Sequence, residues 1–252
     1  MSAHADLTDP RDLSDLPAWF APLLHVARTA RAEDISLFVP PPGHHRRSAV
    51  LLLFGEGPSG PDVLLTERAA GLRAHPGQVA FPGGRIEPSD AGPGAAAVRE
   101  AQEETGLDVA GVVVVGTLPD LYLPVSDYAV TPVLAWWREP SPVDAVDRAE
   151  VSRAVRVPVA ELVEPANRFL VAHPSGYVGP GFGVRGLFVW GFTAGILDRV
   201  LALAGWERHW NRDRLEPLPP PVLGPVSPPA PEALEERLED TLVQGPLTED
   251  AS

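Results

Sequence analysis

Arg99, Glu100, Glu103 and Glu104 are four chemically capable side chains close together in the segment Phe81–Leu107. On a helix, positions i, i+3 and i+4 share a face, so Glu100, Glu103 and Glu104 would project their carboxylates in one direction. Like charges at that spacing repel. Arg99, four residues before Glu103, offers a single guanidinium against three acids. A hard divalent cation with oxygen ligands is the natural complement, and Mg2+ or Mn2+ suits this set better than zinc because the segment holds no His or Cys. Mg2+ also keeps several waters and shares its shell with substrate phosphate, which points to phosphoryl chemistry.

An acidic helix face alone is ordinarily a solvated surface, and the flanking residues make the difference. Phe81-Pro82-Gly83-Gly84 places two glycines where a strand must turn and let a loop lie close to the helix start. Asp90, six residues after Gly84, adds an acid near the cluster. Gly106 can stop the helix as its C-cap, and Leu107 returns the chain to the core.

This segment resembles the Nudix box, G-x(5)-E-x(7)-R-E-U-x-E-E-x-G-U with U aliphatic. Gly84, Arg99, Glu100, Glu103, Glu104, Gly106 and Leu107 match it. Asp90 stands in place of the first Glu, Ala101 is a small U residue, and eight residues rather than seven separate Asp90 from Arg99. The coenzyme A pyrophosphatase branch of the family is similar in that last respect. A second signature supports the branch. Leu64-Leu65-Thr66-Glu67-Arg68-Ala69, then Arg73, Gly77 and Phe81-Pro82-Gly83-Gly84, fits L-L-T-x-R-[SA]-x(3)-R-x(3)-G-x(3)-F-P-G-G at every fixed position. His75 and Gln78 fall where that branch commonly carries H-x-G-Q. The resemblance continues more loosely through 126–136, 149–162 and 190–197.

The resemblance implies an α/β fold, a Nudix-like α/β/α sandwich with a mixed sheet, and a metal site at the box helix and its loop. It implies Mg2+ or Mn2+ held by Glu100, Glu103 and Glu104, with Arg99 completing the catalytic group. Substrate contacts are expected at Arg68 and Arg73, whose guanidinium groups suit phosphate, and at His75, Gln78, Gly83 and Gly84. The implied reaction is hydrolysis of the diphosphate of coenzyme A or its derivatives to 3′,5′-ADP and 4′-phosphopantetheine. Box glutamates and loop carboxylates both serve as water-activating base in such enzymes, and Glu150 is the loop candidate. Two other readings stay open: a Nudix diphosphatase acting on NADH or ADP-ribose-like compounds, and a catalytically silent nucleotide-binding module. The intact acidic cluster argues against the latter.

Composition narrows the partners. The net charge is −14, and all twenty basic residues are Arg. A chain this acidic is a poor binder of nucleic acid, whose affinity depends on clustered positive charge. With no Cys, disulfides, thiolate metal sites and cysteine nucleophiles are ruled out. The acidic, polar N-terminus does not read as a signal peptide. Phe192–Gly205, the most apolar late stretch, is too short to span a bilayer and carries Asp198 and Arg199. The expectation is a cytoplasmic enzyme with a small-molecule substrate and no membrane contact, with a homodimer left open. Ser126 and His173 suggest no hydrolase triad, because no G-x-S-x-G elbow exists.

The elements that must position this chemistry follow from periodicity. A helix is expected after Asp15, and strands over Ser48–Phe54 and Asp62–Glu67, with GEGPSGP as their hairpin loop. A short strand should end at Phe81, broken by Pro82-Gly83-Gly84. Strands are expected at Gly111–Gly116, Tyr128–Trp137, Val151–Pro158 and Gly186–Phe192, the last running into an apolar helix. Gly176–Gly186 reads as a flexible connection. From Pro217 to Pro231 eight of fifteen residues are proline, which reads as extended linker. The organisation is therefore an N-terminal extension (1–30), a Nudix domain (31–212) and a Pro-rich linker with an acidic tail (213–252).

Overall fold

A computed structural model describes residues 13–219 apart from 37–39, 42, 44–45, 73–75, 124–126 and 174–175. Arg73, His75, Ser126 and the linker and tail beyond 219 lie outside the described residues. In chain order the elements are α1 (Ala21–Thr29), α2 (Ala32–Ile35), β1 (Arg46–Gly57), β2 (Gly60–Arg68), β3 (Val79–Ala80), β4 (Gly83–Arg85) and α3 (Pro93–Thr105). They continue with β5 (Val112–Thr117), β6 (Leu121–Leu123), β7 (Tyr128–Trp137), β8 (Val151–Pro158) and α4 (Val159–Leu162). Last come β9 (Arg168–Ala172), β10 (Val178–Val184), β11 (Leu187–Val189), α5 (Gly191–Leu203) and β12 (Leu215–Pro217).

The central sheet is mixed. β3, β2, β1, β7 and β5 lie in that order, with β4 also paired to β1, β6 to β7 and β8 to β2. β1 and β7 run parallel over ten residue pairs from Arg46↔Tyr128 to Gly55↔Trp137. Alternation along these strands sends Ala49, Leu51, Leu53, Val133 and Ala135 to one face, where Ala96, Ala97 and Ala101 of α3 cover them. Leu52, Phe54 and Leu134 point the other way, against Leu23 and Val26 of α1 and Leu197 and Leu201 of α5. The result is the expected sandwich of helix, mixed sheet and helix. The N-terminal helix belongs to the same core, and Leu218 is still buried at the other end.

Three details differ from the sequence reading. β1 and β2 extend through most of the supposed hairpin loop and are joined by a tight turn, because Gly60 at φ +92° takes the left-handed conformation that closes it. Gly83–Arg85 is not a break but a strand, pairing Ser48↔Arg85, Ala49↔Gly84 and Val50↔Gly83. Gly176–Gly186 holds β10, the centre of a second, four-stranded sheet ordered β11-β10-β9-β12. Its glycines are packing devices: a side chain at Gly181 would run into Phe169 and Val171. Among the described residues no helix is long and apolar enough to cross a membrane.

Candidate active site

α3 begins after Gly92 with Pro93 at its first turn and ends at Gly106, whose φ of +68° turns the chain and whose N–H reaches the Gln102 carbonyl. Its buried stripe runs through Ala97 and Ala101. At 100° per residue, Glu104 lies about 20° from Ala97 around the helix, Glu100 about 60° and Glu103 about 120°. The three acids therefore meet different surroundings. Glu104 is half-buried, the Glu100 side chain is 20% exposed and the Glu103 side chain 59% exposed.

The glycines explain how Glu100 and Glu104 reach the sheet. The Gly83 N–H donates to Glu104 Oε2 at 3.3 Å. A side chain at Gly84 would collide with the Glu100 carboxylate, and one at Gly83 with the Ala49 carbonyl and the Val50 backbone. Both positions require glycine for close approach. Glu104 is pushed up to about 7, chiefly by burial, against the lowering effect of the Gly83 N–H and Arg68 and with the Glu100 and Glu150 charges adding to the rise. Burial also raises Glu100, although Arg99 opposes it.

Arg99 does more than pair with Glu103. It donates from Nη1 to Glu100 Oε1 at 3.0 Å and to Glu103 Oε2 at 3.2 Å, and from Nη2 to the Arg85 carbonyl at 3.1 Å. Nε and Nη2 hold Asp90. Asp90 thus sits on Arg99, beside the carboxylate cluster rather than within it.

A third contributor comes from the opposite strand. Arg68 ends β2 at an irregularity in its pairing with β8. Its charge bears on Glu104, and its buried Nε has no hydrogen-bond partner among the described residues. The segment after β7 caps α3, with the N–H groups of Asp144 and Val146 donating to the Thr105 and Glu104 carbonyls at 3.1 and 3.0 Å. It then brings Glu150 beside Arg68, the Ala69 N–H donating to the Glu150 carbonyl at 2.9 Å. Gln78 holds the Arg68 N–H through its own carbonyl at 2.9 Å. Glu100, Glu104, Gly83, Gly84, Arg68 and Glu150 thus converge, while Glu103 turns outward on Arg99. The sequence reading missed Glu87, whose charge adds to the rise of Glu100 and whose N–H donates to Asp90 Oδ2 at 2.8 Å. The Glu87-x-x-Asp90 spacing, which allows a side chain to accept from a nearby backbone N–H, was the available signal.

A strand-loop-helix unit that seats two glutamates on a Gly-Gly strand agrees with the comparison to known proteins. The NUDIX domain family matches residues 44–175, over half the chain. The chain belongs to the Nudix family. The Nudix hydrolase NudL of Shigella flexneri serotype 5b is 40% identical over 169 residues, covering 64% of this chain and 84% of that protein. NudL of Escherichia coli K12 is 40% identical over 167 residues, with 64% and 83% covered. In structure the chain is similar to the Nudix hydrolase RenU of M. smegmatis, with TM-score 0.47, 22% identity and coverage of 69% and 98%. It is also similar to an Ap4A hydrolase of C. elegans, with TM-score 0.38, 18% identity and coverage of 46% and 83%. As a Nudix hydrolase the protein is a pyrophosphohydrolase of small nucleotide-type substrates, in a family that generally uses divalent metal ions.

The residues present fit such an ion. Glu100 and Glu104 are hard oxygen donors, and Glu104 is partly buried beside a second carboxylate, an arrangement that a cation relieves. Among the described residues no three acidic or imidazole side chains are gathered to enclose a cation by themselves. Two carboxylates, with water and substrate phosphate completing the shell, is the habit of Mg2+.

Proposed function

We propose that this Nudix hydrolase cleaves the diphosphate of coenzyme A or its derivatives, releasing 3′,5′-ADP and 4′-phosphopantetheine or its acyl form. The observation that carries the reading is Arg68. It is a fixed position of the branch pattern, its charge bears on Glu104, and its Nε meets no hydrogen-bond acceptor among the described residues, which leaves the guanidinium to a phosphate.

Glu100 and Glu104 would hold Mg2+ or Mn2+, with water and substrate phosphate completing the shell, while Glu103, expected as a third ligand, stands outward on Arg99. The ion, when bound, polarises a phosphoryl oxygen and makes water more acidic. The chain's own residues do the rest. Arg68, with Arg73, His75 and Gln78 of the same loop, grips the diphosphate and restrains it for in-line attack by water. Gly83 and Gly84, expected as substrate contacts, instead make room for the Glu100 and Glu104 carboxylates against the strand and so position them. Arg99 keeps Glu100 and Glu103 aimed. One exposed carboxylate, Glu150 of the loop or Glu103 of the box, accepts the proton of the attacking water. One P–O bond of the diphosphate breaks and one P–O bond to water oxygen forms, with no covalent enzyme intermediate.

The test is product chromatography over a panel of coenzyme A, NADH and ADP-ribose with Mg2+ or Mn2+. The reading expects 3′,5′-ADP from coenzyme A at the highest kcat/KM. Ready cleavage of NADH or ADP-ribose with coenzyme A left intact overturns it.

A further inference from the structure

Arg68 ends β2, with β3 on one side of it and β8 on the other. On the β3 side its N–H donates to the Gln78 carbonyl at 2.9 Å, and its carbonyl accepts from the Gly77 N–H at 3.2 Å. On the β8 side the ladder is regular from Asp62↔Pro158 to Glu67↔Arg153 and then skips. Arg68 opposes Val151, which leaves Ser152 as an extra residue. A bulge of this kind bends its strand and re-aims the side chains beside it. In regular pairing Ala69 would meet Val151. With the bulge it meets Glu150, its N–H donating to the Glu150 carbonyl at 2.9 Å.

A side-chain clamp holds this bulge. The Ser152 hydroxyl stands 3.1 Å from both the Glu67 carbonyl and Glu67 Oε2 and donates to that pair of acceptors. Arg153 Nε donates to the same Oε2 at 2.7 Å, and Arg153 Nη2 to the Gly186 carbonyl at 3.0 Å, in the turn between β10 and β11. That turn is itself tied down, since Arg185 pairs with Glu161 of α4 at 2.6 Å. The clamp and the site lie on opposite faces of the sheet. Leu64 packs into the core under α3 and Leu65 into the core on the other side, so alternation puts Arg68 on the α3 face and Glu67 on the opposite one. Glu67 therefore reaches the site through the backbone it shares with Arg68.

We propose that Ser152 and Glu67 are positioning residues of the site: together they hold the β8 bulge, which fixes the end of β2 and so aims Arg68 at the substrate diphosphate. The proposal rests on the reading of Arg68 as a diphosphate contact. The resemblance does not imply it, because Glu67 is the position that L-L-T-x-R leaves open. Among the described residues Arg68 Nε meets no hydrogen-bond acceptor, which gives the backbone a larger share in aiming the side chain. The aim matters, since a displacement of about 1 Å in a group that holds the reacting substrate can cost on the order of a hundredfold in rate. An ion pair that only tied β2 to the β10–β11 turn would change stability and leave KM alone.

Steady-state kinetics of the full-length protein at saturating Mg2+ tests it, on whichever of coenzyme A, NADH and ADP-ribose is turned over and well below the Tm of each variant. Ser152→Ala and Glu67→Gln should each raise KM about tenfold with kcat within about twofold, because an orienting partner is worth roughly 10–100-fold and a lost binding contact falls on KM. Ser152→Thr keeps the hydroxyl and should bring KM back to within about twofold of wild type. In an Arg68→Ala background, adding Ser152→Ala should change kcat/KM by less than about twofold, because the group it aims is gone. A wild-type KM in Ser152→Ala, or a loss that persists in full without the Arg68 side chain, overturns the proposal. Wild-type kcat/KM in Arg68→Ala takes Arg68 out of the site and overturns it as well. If ADP-ribose is cleaved and coenzyme A spared, the proposed reaction falls, and the same double-variant comparison on ADP-ribose still decides whether Ser152 acts through Arg68.

Discussion

Arg99 grips Asp90 at two points, Nε to Oδ1 at 3.0 Å and Nη2 to Oδ2 at 3.1 Å. With Glu100, Glu103 and the Arg85 carbonyl, this commits all five guanidinium N–H donors. One side chain thereby locks the loop after β4 to the exposed edge of α3. The Arg99 hydrogen bonds, helped by the Glu87 N–H, hold the Asp90 carboxyl below the usual range. Asp90 therefore acts through Arg99.

Asp90→Asn keeps the shape and removes the charge from that pair. Loss of a partner that orients a site residue typically costs 10–100-fold, and we expect about tenfold in kcat, less than for any change at Glu104. Steady-state kinetics at saturating Mg2+ reads this. A loss as large as that of Glu104→Gln would place Asp90 among the ion's own ligands.

Gly84→Ala sets a methyl group against the Glu100 carboxylate. Overpacking of this kind costs about 1–3 kcal/mol, and here Glu100 is the group that must yield. We expect kcat to fall at least tenfold, with a reduced rise in Tm on adding Mg2+. A full Mg2+-induced rise in Tm would show that Glu100 does not need the space above Gly84.

Stability should depend on pH through the same carboxylates. Glu104 is raised from 4.5 to about 7, and Glu100 is raised as well. A carboxyl whose folded pKa lies above its unfolded value stabilises the fold while protonated. That contribution is present below the unfolded value and lost as pH rises through the folded one. Metal-free protein should therefore lose stability between pH 4.5 and about 7, and Mg2+ should restore more of it at pH 8 than at pH 5.5. Melting curves with Mg2+ and with a chelator at both pH values measure this. Equal Mg2+ effects at the two pH values would contradict it.

The second sheet has its own anchor, whose partners are all outside the candidate site. Arg168 is fully buried, paired with Asp198 and, at 3.2 Å, with Glu207, and its guanidinium lies 4.5 Å from the Trp210 ring centroid. Removing one partner of a buried ion pair costs about 3–5 kcal/mol. Arg168→Ala should lower Tm strongly while leaving kcat near wild type well below that melting point. An unchanged Tm would show that the pair contributes nothing net.

The carboxylate helix was legible because its signals are local: Gly106 as a stop, alanines on the buried stripe, and acids at helical spacing. What set Glu103 apart from Glu104 was already in the helical angle, about 100° per residue, but only the packing of Ala97 and Ala101 fixed which direction was inward. β4 was misread because Gly83 and Gly84 have low intrinsic strand preference, and tertiary closeness to Ala49 and Val50 overrides it. β9, β10 and β12 escaped for a related reason. Gly179, Gly181 and Gly183 hide the alternation that usually marks a strand, and β12 pairs with β9 from more than forty residues away in the chain. That Arg68 Nε meets no acceptor among the described residues could not be read at all, since it depends on which groups the fold places within reach.

Glu104 carries the central claim, that two half-buried glutamates over the Gly-Gly strand hold the ion that drives diphosphate hydrolysis. Glu104→Gln preserves size and removes the charge. Losing one preorganised charge contact at such a site costs about 3–4 kcal/mol, or roughly 10²–10³ in rate. Metal-free stability should hold or rise above pH 7, because a carboxylate that burial disfavours has been neutralised. The direct measurement is kcat of Glu104→Gln at saturating Mg2+, taken with its Tm. The account predicts a loss of at least a hundredfold with Tm maintained. Near-wild-type turnover, or a loss that only follows unfolding, would contradict it.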